Sequence, residues 1–364
     1  MEKKVVDMEP AAEAKQPSGK KVAAGKGELV SGRTLGLVMS AAILVAVLTL
    51  TPKSTFLSTD TMAFISNYVA FWAMLALAQA MCLVVGGMNL SVGAICSITT
   101  VVLGLCLDSR YLGLSGCIAV PIMMLAGCVA GWINGLLIVK LKINSFIVTL
   151  STMFVYMGLR SGISGGDSYN RLPQSFKTIG NGTVAGLGVP YLILVVVAVL
   201  AVMAFVFNRT VFGRRLLATG GNAEAAKLSG VDTDKMTVWA NVLSGLFAAL
   251  AAALYASYMG VATPGTGDDW VIISFAVAII GGTGLSGGLV SMTGILMGGV
   301  IVQLIKYGIV QVMKSSDYYA NCFLGASILL AIVVDRVRET YDEKARSSAG
   351  RAGRKTGPGQ DTGP

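Results

Sequence analysis

The chain has 364 residues, 54% hydrophobic and 13% charged, with a formal net charge of +9 and no histidine. A soluble domain carries about 25% charged residues, so this composition excludes an ordinary soluble enzyme or a basic nucleic-acid-binding domain. Without histidine the usual general base, the His-Glu-x-x-His metal site and the Ser-His-Asp triad are all missing.

Residues 1–33 mix Lys, Glu, Ala and Gly without apolar periodicity and read as a disordered basic tail. A membrane-spanning helix needs about 20 mostly apolar residues, and in lipid its backbone groups must be satisfied internally. Runs that meet or approach this length fall at 35–51, 62–86, 89–107, 113–139, 145–162, 189–207, 237–260, 271–286, 290–312 and 318–335. The expected fold class is all-α: a polytopic membrane helix bundle of about ten transmembrane helices across residues 34–336. A second disordered tail is expected at 337–364. The first run follows a long polar segment and precedes no cleavage site, so it reads as an anchor and not a signal peptide. Runs 89–107 and 271–286 are short or glycine-interrupted, as re-entrant segments are.

Basic residues favour cytoplasmic loops. With the N-terminus inside, most of the 28 basic residues fall inside, among them Lys140, Lys142, Arg209, Arg214, Arg215, Arg336 and Arg338. The asymmetry places both termini in the cytoplasm. Asp268 and Asp269 then fall in one outer loop, Arg171 and Lys177 in another. They read as solvated charges, or as contacts for an extracytoplasmic protein. The six Cys lie in or beside apolar runs and read as small packed hydrophobes.

Polar groups inside spans either line a path or bond between helices. Thr149, Thr152 and Tyr156 share one face of the fifth run, and Gln303, Tyr307 and Gln311 recur every four residues in the ninth, beside Lys306. Asn67, Trp72 and Gln79 lie in the second. Either role suits these rows. Phe146 and Trp270, near run ends, read as interfacial anchors.

The longest inner loop, 208–236, is unlike the others. Asn222 can cap a short helix, residues 223–228 are good helix formers, and Gly230 can end it. Such a helix suits docking into a groove on a partner. Elsewhere Gly86-Gly87-Met88-Asn89-Leu90-Ser91-Val92-Gly93 and Gly281-Gly282-Thr283-Gly284-Leu285-Ser286-Gly287-Gly288 both fit Gly-Gly-x-x-Leu-Ser-x-Gly. A glycine-interrupted element in each half points to a substrate path in transporters.

These patches resemble the ribose-type sugar permeases of ATP-binding-cassette importers. Glu224-Ala225-Ala226 with Gly230, after Phe212-Gly213-Arg214-Arg215 and Gly220-Gly221-Asn222, is similar to that family's coupling loop. The first Gly-Gly turn and the stretch from Asn144 to Met153 are similar to two further family segments, and the resemblance runs from about 60 to 336. Asn89 stands where the family usually has Asp, so no role needing a carboxylate carries over.

The resemblance implies a short cytoplasmic coupling helix, with Gly213, Arg214, Gly221, Asn222, Glu224, Ala225, Ala226 and Gly230 meeting an ATPase subunit. It also implies hinges at Gly86, Gly87, Gly93, Gly281 and Gly282. Translocation-path candidates are Asn89, Ser91, Thr149, Thr152, Tyr156, Gln303 and Tyr307. The implied function is the permease subunit of an importer for a sugar or sugar-like solute in the bacterial inner membrane. Its partners would be an ATPase, a second permease subunit and an extracytoplasmic solute-binding protein.

The chain has no Gly-x-x-x-x-Gly-Lys-[Ser/Thr] loop, so ATP and Mg are expected on the partner, with no cofactor, metal or catalytic residue here. The alternative is an ion-coupled secondary transporter. It would normally need ionisable groups deep in the spans, and Asp60, Asp108, Asp167, Asp317 and Asp335 all fall near run ends. An intramembrane enzyme would need a nucleophile with a base, or a metal cluster.

Overall fold

The computed structural model describes residues 25–50, 56, 58–184, 188–313, 322, 325 and 326. Both terminal tails, apart from 25–33, and most of the run at 318–335 lie outside the described residues. Among the described residues the fold is helical, with two isolated bridges, Tyr169 to Ala262 and Thr183 to Pro190, and no longer strand.

In chain order the helices are α1 (Gly25–Thr49), α2 (Thr59–Val84), α3 (Val92–Leu107), α4 (Gly116–Leu141), α5 (Ser145–Ser164) and α6 (Gln174–Asn181). Then follow α7 (Tyr191–Arg209), α8 (Val211–Gly221), α9 (Ala223–Leu228), α10 (Thr233–Met259), α11 (Trp270–Ile280) and α12 (Met292–Met313). Six of them, α2, α4, α5, α7, α10 and α12, are long and apolar enough to cross a membrane. The apolar part of α1 (Gly36–Thr49), α3 and α11 are shorter. At 1.5 Å per residue α3 spans about 24 Å and α11 about 16 Å, less than the roughly 30 Å of a hydrocarbon core. Both helices correspond to the runs whose glycines suggested interruption.

The most buried helix is α2, with 94% of its apolar stretch covered by other parts of the chain, against 22% for α5. It is flanked by α10, α12, α11 and α7. Its sequence suits this place, because Ala70, Ala73, Ala76, Ala78 and Ala80 let neighbours come close on every side, and all five are inaccessible. The exposed faces of α4 and α5 carry Leu125, Trp132, Phe154 and Val155, as a helix facing lipid or another apolar surface would.

Helices α4 and α10 share the most extensive contact of any pair among the described residues. Gly127, Gly131 and Gly135 recur every four residues on α4. A Cβ on Gly131 would lie 2.9 Å from the Asn241 carbonyl carbon, and one on Gly135 2.8 Å from the Val238 Cα. Without a hydrophobic drive between helices in lipid, small residues allow the backbone contact that holds the pair together.

Two features were not legible in the runs. A short helix, α6, follows Pro173 and buries Phe176 and Gly180. The first half of the long inner loop is also helical, as α8.

Candidate translocation core and coupling face

The first Gly-Gly turn leaves α2 through Gly86, whose φ is +78°. It then passes beside the first turns of α5. The Met88 N–H donates to Ser145 Oγ (3.0 Å) and the Leu90 N–H to Thr149 Oγ1 (3.1 Å). Asn89 is fully buried. Its Nδ2 donates to Ser244 Oγ of α10 (2.9 Å), and its Oδ1 accepts from the Ser91 N–H (3.0 Å) and hydroxyl (2.7 Å). Asn134 of α4 donates to Ser91 Oγ (2.7 Å). The Tyr156 hydroxyl of α5 lies 2.9 Å from the Ala130 carbonyl oxygen and 3.2 Å from Asn134 Oδ1. With its amide oriented by the network, Gln79 of α2 donates to the Asn89 carbonyl (2.9 Å) and accepts from the Asn89 N–H (3.3 Å).

Four helices, α2, α4, α5 and α10, thus converge on the start of α3. Four of the candidate path residues, Asn89, Ser91, Thr149 and Tyr156, belong to this one network, and Thr152 bonds back to the Thr149 carbonyl (3.3 Å). Most of these bonds link helix to helix or turn to helix, and those between Asn89 and Ser91 lie within the turn, so the network fixes where α3 begins. Asn134 and Ser244 went unnoticed in the sequence. Their signal was a lone polar residue beside helix-packing glycines, Gly135 and Gly245. The amide of Asn89 serves here as donor and acceptor at once, which a carboxylate cannot do.

Gln303 and Tyr307 lie elsewhere. Gln303 Oε1 accepts from the Trp72 indole N–H (2.9 Å), and the Lys306 ammonium sits 5.1 Å from the Trp72 ring centroid. Tyr307 packs against Phe56 (5.8 Å) and Phe64 (6.4 Å). Trp72 and Gln79 are seven residues apart on α2, so the two groups share one helix face about 10 Å apart.

Trp270 is not an interfacial anchor. It is 9% exposed and packs between Trp72 (5.8 Å) and Tyr255 (4.8 Å). The cause is the segment 261–269, which leaves the end of α10 and folds back into the protein before starting α11. Its Gly267, at φ +102°, meets Gly93 near the start of α3, and a Cβ on Gly267 would lie 2.8 Å from both the Gly93 carbonyl oxygen and the Cys96 Cβ. The two short helices therefore begin at one place inside the bundle. Phe146, by contrast, is half exposed, at 46%.

The same segment gives Asp268, which remains exposed, an ion-pair partner. Arg160 near the end of α5 forms a two-pronged pair with it (2.5 and 2.8 Å) and donates to Ser97 Oγ of α3 (2.5 Å). Ser97 Oγ also accepts from the Gly265 N–H (3.0 Å). At the C-terminal end of α3 Asp108 is inaccessible and pairs with Arg110 (2.8 Å). The Arg110 guanidinium, with backbone N–H groups of Arg110 and Arg171, holds the Asp108 carboxyl down to about 2 against burial.

At the opposite end α8 starts with Thr210 capping the Gly213 N–H (3.2 Å). Gly213 is buried against the Phe207 backbone, while Arg214 and Arg215 are exposed. A single extended residue, Asn222, joins α8 to α9, and its Oδ1 accepts from the Ala225 N–H (2.9 Å). Gly230, at φ +81°, closes α9, with the Val231 N–H returning to the Ala226 carbonyl (3.0 Å). Only Ala226 is buried within α9, Glu224 and Lys227 are exposed, and Leu228 is 91% exposed. A capped helix with an exposed leucine projects from this end of the bundle.

The chain matches the family described as the branched-chain amino acid transport system / permease component over residues 61–332. It is 31% identical over 306 residues to the L-arabinose ABC transporter permease protein AraH of Azospirillum brasilense, covering 83% of this chain and 87% of that protein. It is 32% identical over 304 residues to the ribose import permease protein RbsC of Bacillus subtilis, covering 83% and 92%. With the autoinducer 2 import system permease protein LsrC of Yersinia pestis the identity is 30% over 278 residues, covering 76% and 77%. No solved structure matches the chain.

Proposed function

The chain belongs to this family of inner-membrane permease components, which are transport subunits and not enzymes, and from that premise we propose that it forms the translocation path of an ATP-driven importer for a sugar or sugar-like solute. The relatives named for L-arabinose, ribose and autoinducer 2 support a small, hydroxyl-rich cargo. The observation that carries the coupling half of the proposal is α9, a capped helix whose outer face is exposed. It would seat in a cleft of a separate ATPase that holds ATP and Mg. Gly213, Arg214, Gly221, Asn222, Glu224, Ala225, Ala226 and Gly230 would form or support that contact.

The topology proposed is about ten spans with both termini cytoplasmic, the tenth at 318–335; the disordered tail expected over 1–33 gives way at 25–33 to the start of α1. A second permease subunit would cover the open faces of α4 and α5, and an extracytoplasmic binding protein would deliver solute at the end carrying α6. The path residues remain those proposed from the sequence, with Arg160 and Asp268 added at their outer side. ATP binding would draw the two α9 helices together, and the permease pair would open alternately to each side.

Purification of the tagged chain from gently solubilised membranes tests this. An ABC-type ATPase is expected to come with it, and Glu224→Arg is expected to lose it while still inserting in the membrane. Recovery without an ATPase, with vesicle uptake driven by an ion gradient alone, would replace the proposal with a secondary transporter.

A further inference from the structure

A displacement of α9 matters only if something inside the permease receives it. Among the described residues α9 rests on α8 and on the start of α10. The last turn of α8 is where the three glycine-rich segments of the chain meet. The Val84 carbonyl, at the end of α2, accepts from the Gly288 N–H of the second Gly-Gly segment (2.9 Å). Gly220 of α8 lies against the same carbonyl, and a Cβ there would be 2.7 Å from both the Val84 carbonyl carbon and the Gly288 nitrogen. Gly287, at φ +89°, would place a Cβ 2.6 Å from the Gly220 carbonyl oxygen and 3.0 Å from the Gly86 nitrogen. Gly288, at φ +73°, would place one 2.8 Å from the Gly221 Cα.

Backbone therefore touches backbone at this junction with no side chain between. Side chains hop between rotamers and can absorb a small shift, whereas close-packed interiors transmit strain. One strand of the junction leads through 85–91 into α3, and another, 281–291, joins α11 to α12. The third passes through the single residue Asn222 into α9. The two short helices reached in this way are the pair that meet at Gly93 and Gly267.

We propose that Gly220, seated between Val84 and Gly287, is the positioning residue that carries movement of α9 to both Gly-Gly segments, and through them to α3 and α11. This rests on the coupling role proposed for α9. It assigns the hinge glycine Gly86, Gly287 and Gly288 of the second segment, and the coupling loop to one mechanical unit.

The test is hydrogen–deuterium exchange on the full-length chain in complex with its ATPase, with and without MgATP and vanadate. In the wild type, exchange is expected to change together at 218–230, 84–91 and 281–289. A change confined to 218–230 overturns the proposal without any variant being made. Gly220→Ala is expected to keep the co-purified ATPase and to lose the nucleotide-dependent change at 84–91 and 281–289. Ala218→Ser, an exposed change on the same helix, is expected to retain it. Identical responses from the two variants also overturn the proposal. A wild-type chain that brings no ATPase at all refutes the coupling role itself, a separate failure.

Discussion

Gly245→Ala should loosen the α4–α10 pair. The added Cβ would lie 2.9 Å from the Gly127 carbonyl carbon and 3.1 Å from the Gly131 nitrogen, and closer still to the Gly127 carbonyl oxygen. Carbon atoms pack best at about 3.5–4.0 Å, and a backbone carbonyl cannot rotate out of the way as a side chain would. The helices must part by about 1 Å, and overpacking of this kind costs about 1–3 kcal/mol. Alanine also favours helix over glycine by about 1 kcal/mol, which offsets part of the loss. Gly158→Ala on α5 isolates that gain, because nothing lies within 4 Å of a Cβ there. The expected order of stability is Gly158→Ala, wild type, Gly245→Ala, with about 1–3 kcal/mol between the extremes, the overpacking cost alone. At roughly 2–4 °C per kcal/mol for domains of 150–250 residues, the two variants should differ by several degrees. Thermal unfolding in detergent followed by tryptophan fluorescence reads this directly. Gly245→Ala melting at or above Gly158→Ala would refute the backbone contact.

Asp268→Ala alone should cost more than the Arg160→Ala, Asp268→Ala double variant, since it leaves a mostly buried guanidinium unpaired. A double-mutant cycle on unfolding is expected to give a coupling of about 1–3 kcal/mol, the range for a hydrogen bond to a charged group, and a value near zero would show the pair to be incidental. Asn222→Ala removes the cap of α9 and should cost about 1 kcal/mol locally, read as faster amide exchange at 223–228, and it should weaken retention of the ATPase. At the C-terminal end of α3, Asp108 is held to about 2 against an ordinary 3.8. A lowered folded value stabilises above the unfolded one. The turn at 108–115 should therefore be fully protected from proteolysis above about pH 4 and lose that protection as pH falls through 2, and Asp108→Asn should flatten the profile.

Sequence alone determined the class of this protein, because lipid allows few solutions. Runs of apolar residues that long must be helices, and basic residues grouped in alternate loops indicate a topology. It also located α9, since a cap, a run of helix formers and a terminating glycine are all local signals. The helix α8 escaped because Gly213, Gly220 and Gly221 look like breakers, although Gly213 and Gly220 are small for the sake of neighbouring backbone. Glycine spacing on α4 was equally visible, but not its partner on α10, more than a hundred residues away. Tertiary structure decided which polar residues belong together. Asn89, Ser91, Asn134, Tyr156 and Ser244 come from three helices and a turn, and no periodicity on one helix records a bond to another. It also decided the fate of 261–269. As a sequence it is a short polar loop with two acids, fit for solvent. Only its docking on α3 and α5, with Gly267 on Gly93 and Asp268 on Arg160, turns it inward and buries Trp270.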